Sequence, residues 1–513
     1  MSKKYQNLDK TVAFGLLKQV KEAAMQKRGL SPESVRKYVI CQNGLSFSYA
    51  ASQVNEVVLD LFQKLSEEQE LIGRYARLLS GDEMNSTEHR PVLHHKTRSG
   101  VPGFYQDELE RAFAFSRLVS EGGVLTYQGF LFEAVVQVGI GGSHLGPMAL
   151  QRALHCIVKP RLHVEFISNV DPDDAHDVLS RVDIHRTLFI VVSKSGNTLE
   201  TAANMALIKR YAMVSGIPES EFYRHLVVVT MKDSELDLAE RHGASFYLDH
   251  AIGGRYSSTS VVGTVVLSLV FGETAVRSFL SGAHAMDESC KIPEVRNNSA
   301  LMAALIGVYE RNVCGYSSRA VIPYSEALTL FPAHLQQLEC ESNGKRVNIY
   351  GEVLSYSTGP VVFGESGTDS QHAFFQTLHQ GSDVIPVQFI GFKKSQIDQD
   401  VVFQGTTSQE KLNANVVAQI VALSIGNPGS SGHQEFPGNR PSTFIFADQL
   451  TPFILGVLLS FYENMVMFQG FLWNINSFDQ EGVQFGKVLA TQLLNNDQSV
   501  DPLLKAYRSL IFE

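Results

Sequence analysis

With 513 residues, 44% of them hydrophobic and 19% charged, the chain has a globular composition but exceeds what one core normally holds, so two domains are expected. A net charge of −10 supplies no basic face and excludes a nucleic-acid binder as the first reading. Five scattered cysteines (Cys41, Cys156, Cys290, Cys314, Cys340) without a CxxC pair read as reduced thiols of a cytoplasmic protein, and no apolar signal core follows the N-terminal lysines.

Residues 1 to about 100 read as helical and mixed in charge, with periodic stretches such as Val57–Leu65 and no strong strand signal. Short β-rich runs follow, each ending in a glycine or serine turn and then a helical period. They are Ala134–Val138, His163–Ile167, Thr187–Val192 and His225–Thr230. After a helical stretch around residues 273–312 come Arg319–Pro323, Gly359–Phe363, Val384–Ile390 and Thr443–Phe446. Strands alternating with helices predict mostly parallel sheets flanked by helices, an α/β fold. The expected division is an N-terminal helical segment over 1–99 packed on the second domain, a first α/β domain over 100–275, and a second over 276–513. Gly426 through Pro441 reads as a surface loop. The apolar runs Ser260–Phe271 and Leu450–Tyr462 fall short of the ~20 residues a spanning helix needs, so both are expected to be buried and no membrane partner is implied.

Two strand-to-helix turns carry chemistry. Ser193-Lys-Ser-Gly-Asn-Thr-Leu-Glu places Ser193, Ser195 and Thr198 hydroxyls, a permissive Gly196 and the Lys194 charge where a helix N-terminus leaves free N–H groups. Helix capping alone would explain the Ser and Thr. Several hydroxyls and a lysine in one turn favour a phosphate monoester instead. Gly139-Ile-Gly-Gly-Ser-His-Leu-Gly-Pro lacks the GxGxxG spacing of a dinucleotide loop and fits a second anion-contacting loop, through Gly142 and Ser143.

Taken with Asn85-Ser-Thr-Glu-His-Arg-Pro-Val-Leu-His, Gly253-Gly-Arg-Tyr-Ser, Glu341-Ser-Asn-Gly-Lys, Gly364-Glu-Ser-Gly-Thr-Asp-Ser-Gln-His-Ala-Phe and Phe478-Asp-Gln-Glu-Gly-Val-Gln-Phe-Gly-Lys, these loops resemble the glucose-6-phosphate isomerase family over nearly the whole chain. The resemblance implies two sugar-isomerase (SIS-like) domains. It implies a cofactor-free and metal-free interconversion of glucose 6-phosphate and fructose 6-phosphate through an enediol.

By that resemblance Glu341 is the base moving a proton between C2 and C1, work that suits one carboxylate over a short distance. His372 opens the sugar ring, assisted by Lys487. Arg255 stabilises the enediolate, a permanent charge beside a developing oxyanion. Gln480 touches substrate, and Glu200 orders the second phosphate loop. In this family the histidine reaches the pocket from the neighbouring subunit, which implies a homodimer with shared sites.

His144 stands where the family commonly has Asp, Ser195-Gly-Asn-Thr replaces a more threonine-rich continuation, and Phe363 and Ser366 replace Trp and Pro. Three rivals fare worse. A non-catalytic sugar-phosphate sensor has no need of Glu341, His372, Arg255 and Lys487 together. A metal-dependent isomerase would want an HExxH or His-x-His cluster, and His94-His95 would not chelate from a strand. A nicotinamide dehydrogenase would want the other glycine spacing.

Overall fold

The computed structural model describes residues 4–26, 30–237, 242–397, 399–427, 429, 431–495 and 501–512. Its first strands were not expected: β1 (Val39–Gln42) and β2 (Leu45–Ser48) form a hairpin inside the segment read as helical. The turn is Asn43-Gly44 with φ of 53° and 78°, the conformation a two-residue hairpin loop requires.

A first sheet follows, built from β3 (Ala134–Val138), β4 (His163–Ile167), β5 (Thr187–Val192), β6 (Leu226–Thr230) and β7 (Ala244–Tyr247). The order is β4-β3-β5-β6-β7 and every pair is parallel. All six residues of β5 are buried, as expected of a strand covered on both faces. The edge strand β7 had no counterpart in the sequence reading, and its short Ala-Ser-Phe-Tyr has only one fully buried position.

The second sheet contains β8 (Ser318–Pro323), β9 (Val361–Phe363) and β10 (Val387–Phe392). A small separate ribbon pairs β11 (Val402–Phe403) with β12 (Thr406–Thr407), and β13 (Ser442–Ala447) completes the sheet. The order is β1-β2-β13-β10-β8-β9, parallel from β13 onward, with the N-terminal hairpin added antiparallel on β13. Of the loop expected over 426–441, Pro428 and Ser430 lie outside the described residues.

Apolar helices fill the space beside the sheets. Val261–Phe271 and Ser299–Tyr309 are buried along their whole length, and so is Pro452–Trp473 from Ile454 onward. The expected short run at Leu450–Tyr462 is therefore part of a 22-residue helix, long enough by length alone to cross a bilayer. Protein covers 94% of its apolar window, and it packs on Glu273–Ser289 and Ser299–Tyr309. Each large apolar side chain buried this way contributes ~1.5–3 kcal/mol.

The same helix carries Glu463, fully buried. Arg98 explains it: one guanidinium donates to Glu463 and, at 2.7 and 2.8 Å, to both oxygens of Asp287. Two carboxylates share one cation, so burial pushes Glu463 up to about 7 while Arg98 and its hydrogen bonds hold Asp287 below the usual range. His94 and His95 precede this arginine in a buried 3-10 turn, not in a strand.

Candidate active site

Strands β3 and β5 are neighbours, with Val138 opposite Val191, so the turns that leave them emerge side by side. The chain passes from β3 to β4 on one side and returns to β5 on the other, and that reversal opens a crevice beyond the carboxyl ends. Both suspected phosphate loops line it.

In the second loop Ser193 Oγ lies 2.8 Å from Thr198 Oγ1 and accepts the Gly196 N–H at 3.2 Å. Gly196 has φ +80°, open to glycine at no steric cost. Ser195 donates to Asn197 Oδ1 at 2.6 Å. Thr198 is the N-cap of helix Leu199–Val214, yet its hydroxyl makes no capping bond. Capping alone therefore does not account for this hydroxyl cluster, and the helix N-terminus stays available to an anion. Glu200 is in the first helical turn and half-buried. Lys194 departs from its expected place: its Nζ donates to the carbonyls of His250 and Ile252, at 2.7 and 2.9 Å. Burial lowers it to about 8.

The first loop touches the turn bearing Arg255. At Gly142 a Cβ would lie 2.2 Å from Gly254 C and 2.7 Å from Arg255 N, so only glycine permits this approach. Ser143 and His144 are half-buried, the latter with its Nε2 3.1 Å from Met148 Sδ.

Arg255 is 1% exposed and held on three sides. Its Nε donates to Ser342 Oγ at 2.6 Å, and Nη2 donates to the carbonyls of Ser477 and Asp479 at 2.5 and 3.0 Å. Nη1 is left with the long contacts, 3.4 Å to Gln480 Oε1 and 3.6 Å to Glu341 Oε1. Glu341 lies in the last turn of helix Phe331–Asn343, 21% exposed, with Oε2 accepting from Gln337 Nε2 at 2.9 Å. A carboxylate with one anchored oxygen thus faces a rigid guanidinium whose two least engaged N–H groups point the same way.

Sequence reasoning missed the residues behind this pair. Gln337 precedes Glu341 by four, the spacing that puts two side chains on one helix face, and that signal was readable. Lys345 Nζ donates to Asp479 O and Oδ1 at 2.8 and 2.6 Å, and burial depresses its pKa. Thr87 donates to Asp479 Oδ2 at 2.7 Å, while Asn85 donates to Phe478 O at 3.2 Å and accepts from Asn476 at 2.9 Å. The motif beginning at Asn85 therefore braces segment 476–480, which supplies two of Arg255's acceptors and Gln480.

The phosphoglucose isomerase family model matches residues 48–503. The chain belongs to that family. A glucose-6-phosphate isomerase of Treponema denticola is 47% identical, with 99% of each chain covered, and one of Borreliella burgdorferi is 43% identical over the same shares. The crystal structure of a glucose-6-phosphate isomerase from Chlamydia trachomatis superposes with TM-score 0.93 at 40% identity, covering 98% of this chain and 99% of that one.

Within this phosphoglucose isomerase fold, Glu341, Arg255 and Gln480 meet in one chain, and the two loops carrying Gly142, Ser143, Ser193, Lys194, Ser195, Thr198 and Glu200 emerge side by side. His372 and Lys487 stand apart. His372 is exposed at the end of the short helix Gly367–Gln371, and Lys487 is exposed on helix Gln484–Leu494. Among the described residues no hydrogen bond or ion pair joins either side chain to Glu341.

Proposed function

We propose that the chain interconverts D-glucose 6-phosphate and D-fructose 6-phosphate through ring opening and a cis-enediol, with Glu341 moving the proton, as a step of glycolysis and gluconeogenesis in the cytoplasm. The observation that carries the reading is the pairing of Glu341 with Arg255 at the mouth of two phosphate-loop turns.

The phosphate is held by the Ser193, Ser195 and Thr198 hydroxyls, by Gly142 and Ser143 of the first loop, and by the N-terminal dipole of helix Leu199–Val214. Glu200 steadies that helix end. With the phosphate anchored, C1 and C2 lie toward Glu341. Its carboxylate takes the C2 proton, the electron pair forms the C1–C2 double bond, and the carbonyl oxygen at C1 gains negative charge. Arg255 Nη1, already desolvated and oriented, donates to that oxygen as the charge grows, which needs no reorganisation at the moment of reaction. The C2 hydroxyl proton passes to O1 across the enediol, and the protonated Glu341 returns its proton to C1 as the C2 carbonyl forms. Gln480 fixes a sugar hydroxyl beside Arg255.

Ring opening is assigned to His372 of a second copy of the chain and to Lys487. Support for a homodimer comes from the surface that carries Lys487. Helices Gln484–Leu494 and Pro502–Phe512 contain no buried residue, while Phe485, Leu510 and Ile511 are 72, 74 and 81% exposed. Apolar faces of that size call for a partner surface.

The test measures fructose 6-phosphate formed from glucose 6-phosphate in excess EDTA, for the wild type beside Glu341→Gln. Activity that survives EDTA and falls by about 10²–10⁴-fold in the variant is the expected result. Binding without turnover by the wild type would favour a sensor, and loss to EDTA alone would mean another chemistry. Mixing inactive Glu341→Gln with inactive His372→Ala tests the shared site. Subunit exchange should restore roughly a quarter of the wild-type sites, and a mixture as inactive as its components would sink it.

A further inference from the structure

We propose that Lys194 is a positioning residue, a strut that ties the phosphate-binding turn after β5 to the turn carrying Arg255. The inference rests on Arg255 acting in the reaction, as read above.

Three observations carry it. Two of the three N–H groups of the Lys194 ammonium are committed to carbonyls, those of His250 and Ile252 at 2.7 and 2.9 Å. Among the described residues neither carbonyl accepts from any other group. The backbone of Lys194 is itself fixed, because its carbonyl accepts the Met231 N–H at 3.1 Å just beyond β6. The strut thus runs from an anchored point in the first sheet to residues 250 and 252, and Gly253-Gly254-Arg255 follow immediately. The intervening Ala251 is pinned from the other side, its carbonyl accepting from the Leu93 N–H at 3.3 Å.

The far end of Arg255 is held by Ser342, Ser477 and Asp479, and Lys194 supplies a tie from the first sheet to the backbone just before it. Two adjacent glycines precede Arg255, and glycine supplies flexibility, not rigidity. The first loop meets the turn by close approach at Gly142 and by one long hydrogen bond, from Ser257 Oγ to Gly142 O at 3.4 Å. Arg255 needs its Nη1 within a few tenths of an ångström of the developing oxyanion, and placement of that quality requires support from behind. Partial burial of the ammonium, which depresses its pKa, agrees with a cation solvated by backbone and not by water. A lysine serving as a direct phosphate ligand would present its ammonium to the crevice.

The strut also gives the two halves of the substrate a common reference. A phosphate seated between Ser193 and Thr198 touches the same six-residue turn from which Lys194 extends. Phosphate position and guanidinium position are therefore set by one backbone segment.

The test is a double-mutant cycle on the full-length protein. Lys194→Met keeps the stem and removes the donors; kcat should fall on the order of 10- to 100-fold, with KM and the inhibition constant of inorganic phosphate nearly unchanged. Lys194→Arg, which keeps donors, should recover most of the loss. In an Arg255→Ala background Lys194→Met should cost nothing further. The same factor in both backgrounds, within about twofold, would mean that Lys194 acts independently and would overturn the proposal. So would a parallel rise of KM and the phosphate inhibition constant at unchanged kcat, the behaviour of a phosphate ligand. Should Lys194→Met not fold, Lys194→Gln carries the same comparison. Wild-type kcat in Arg255→Ala alone would instead overturn the role of Arg255, a separate outcome.

Discussion

Replacing Arg255 by lysine keeps the charge and removes the fork, which isolates what the geometry contributes. The guanidinium has five N–H groups. Three are locked on Ser342 Oγ, Ser477 O and Asp479 O at 2.6, 2.5 and 3.0 Å, and the two on Nη1 remain for substrate. An ammonium has three donors on one atom. It cannot reach the Ser342 hydroxyl and the 477–479 carbonyls while also facing Glu341. If it settles among the buried carbonyls, the developing oxyanion loses its donor; if it turns to the oxyanion, buried acceptors go unpaired at ~1–3 kcal/mol each. Loss of one preorganised oxyanion donor costs about 10²–10³ in kcat, or ~2.7–4 kcal/mol. Because the charge is retained, attraction of the anionic substrate persists and KM should move little. The assay is fructose 6-phosphate turnover coupled to a dehydrogenase specific for glucose 6-phosphate, alongside a thermal melt. A variant with wild-type kcat and an unchanged melting temperature would refute the claim that orientation of this guanidinium, and not its charge alone, sustains catalysis.

Gly142→Ala should impair kcat although it removes no functional group: its Cβ would stand 2.2 Å from Gly254 C, so the Arg255 turn must retreat by roughly 1 Å, enough for up to ~10² in rate. Overpacking there should also lower stability by about 1–3 kcal/mol in a denaturant titration, and an unaffected enzyme would show that the two turns are not in register. A pH effect on stability follows from Lys194. In the folded chain it loses its proton near 8, against 10.5 for the unperturbed group. Between those values the unfolded chain binds more protons, so this group makes stability rise with pH across the window. Unfolding free energies from pH 8 to 10.5 should therefore climb less steeply in Lys194→Met than in the wild type, and parallel curves would contradict the assignment.

The parallel strands of both sheet interiors were legible because a strand covered on two faces is a continuous apolar run: Thr187–Val192 was read to the residue. The edge strands β4 and β9 were read too, but β7 and the N-terminal hairpin were not, because their apolar residues are few and interrupted. In β1 and β2 only Ile40, Leu45 and Phe47 are buried among exposed or half-exposed neighbours, a weak pattern inside a helical-looking region. The Asn43-Gly44 dipeptide was the signal that should have outweighed it. At the site, the residues that meet, Glu341, Arg255 and Gln480, were each picked out by a short motif. Lys194 was legible as a charge in a phosphate turn but not as a strut, because its partners are backbone carbonyls 56 and 58 residues away, and carbonyls leave no mark in a sequence.

That contrast explains why a motif with no reactive group belongs to the set. Asn85 and Thr87 are far from Glu341 in sequence and contribute no acid or base, yet the first holds Phe478 and Asn476 and the second holds Asp479. Lys345 holds Asp479 as well, from just beyond the helix that carries Glu341. The carbonyls of Ser477 and Asp479 then fix Arg255. Thus Glu341 and the Arg255 guanidinium are each tied to segment 476–480, one through the helix end and one directly, and the N-terminal motif clamps that segment from the opposite side. The 3.6 Å between Arg255 and Glu341 is a consequence of this bracing. Without it the two opposite charges would close into a shorter ion pair, and both the free N–H groups and the free carboxylate oxygen that the proposed mechanism uses would be consumed by one another.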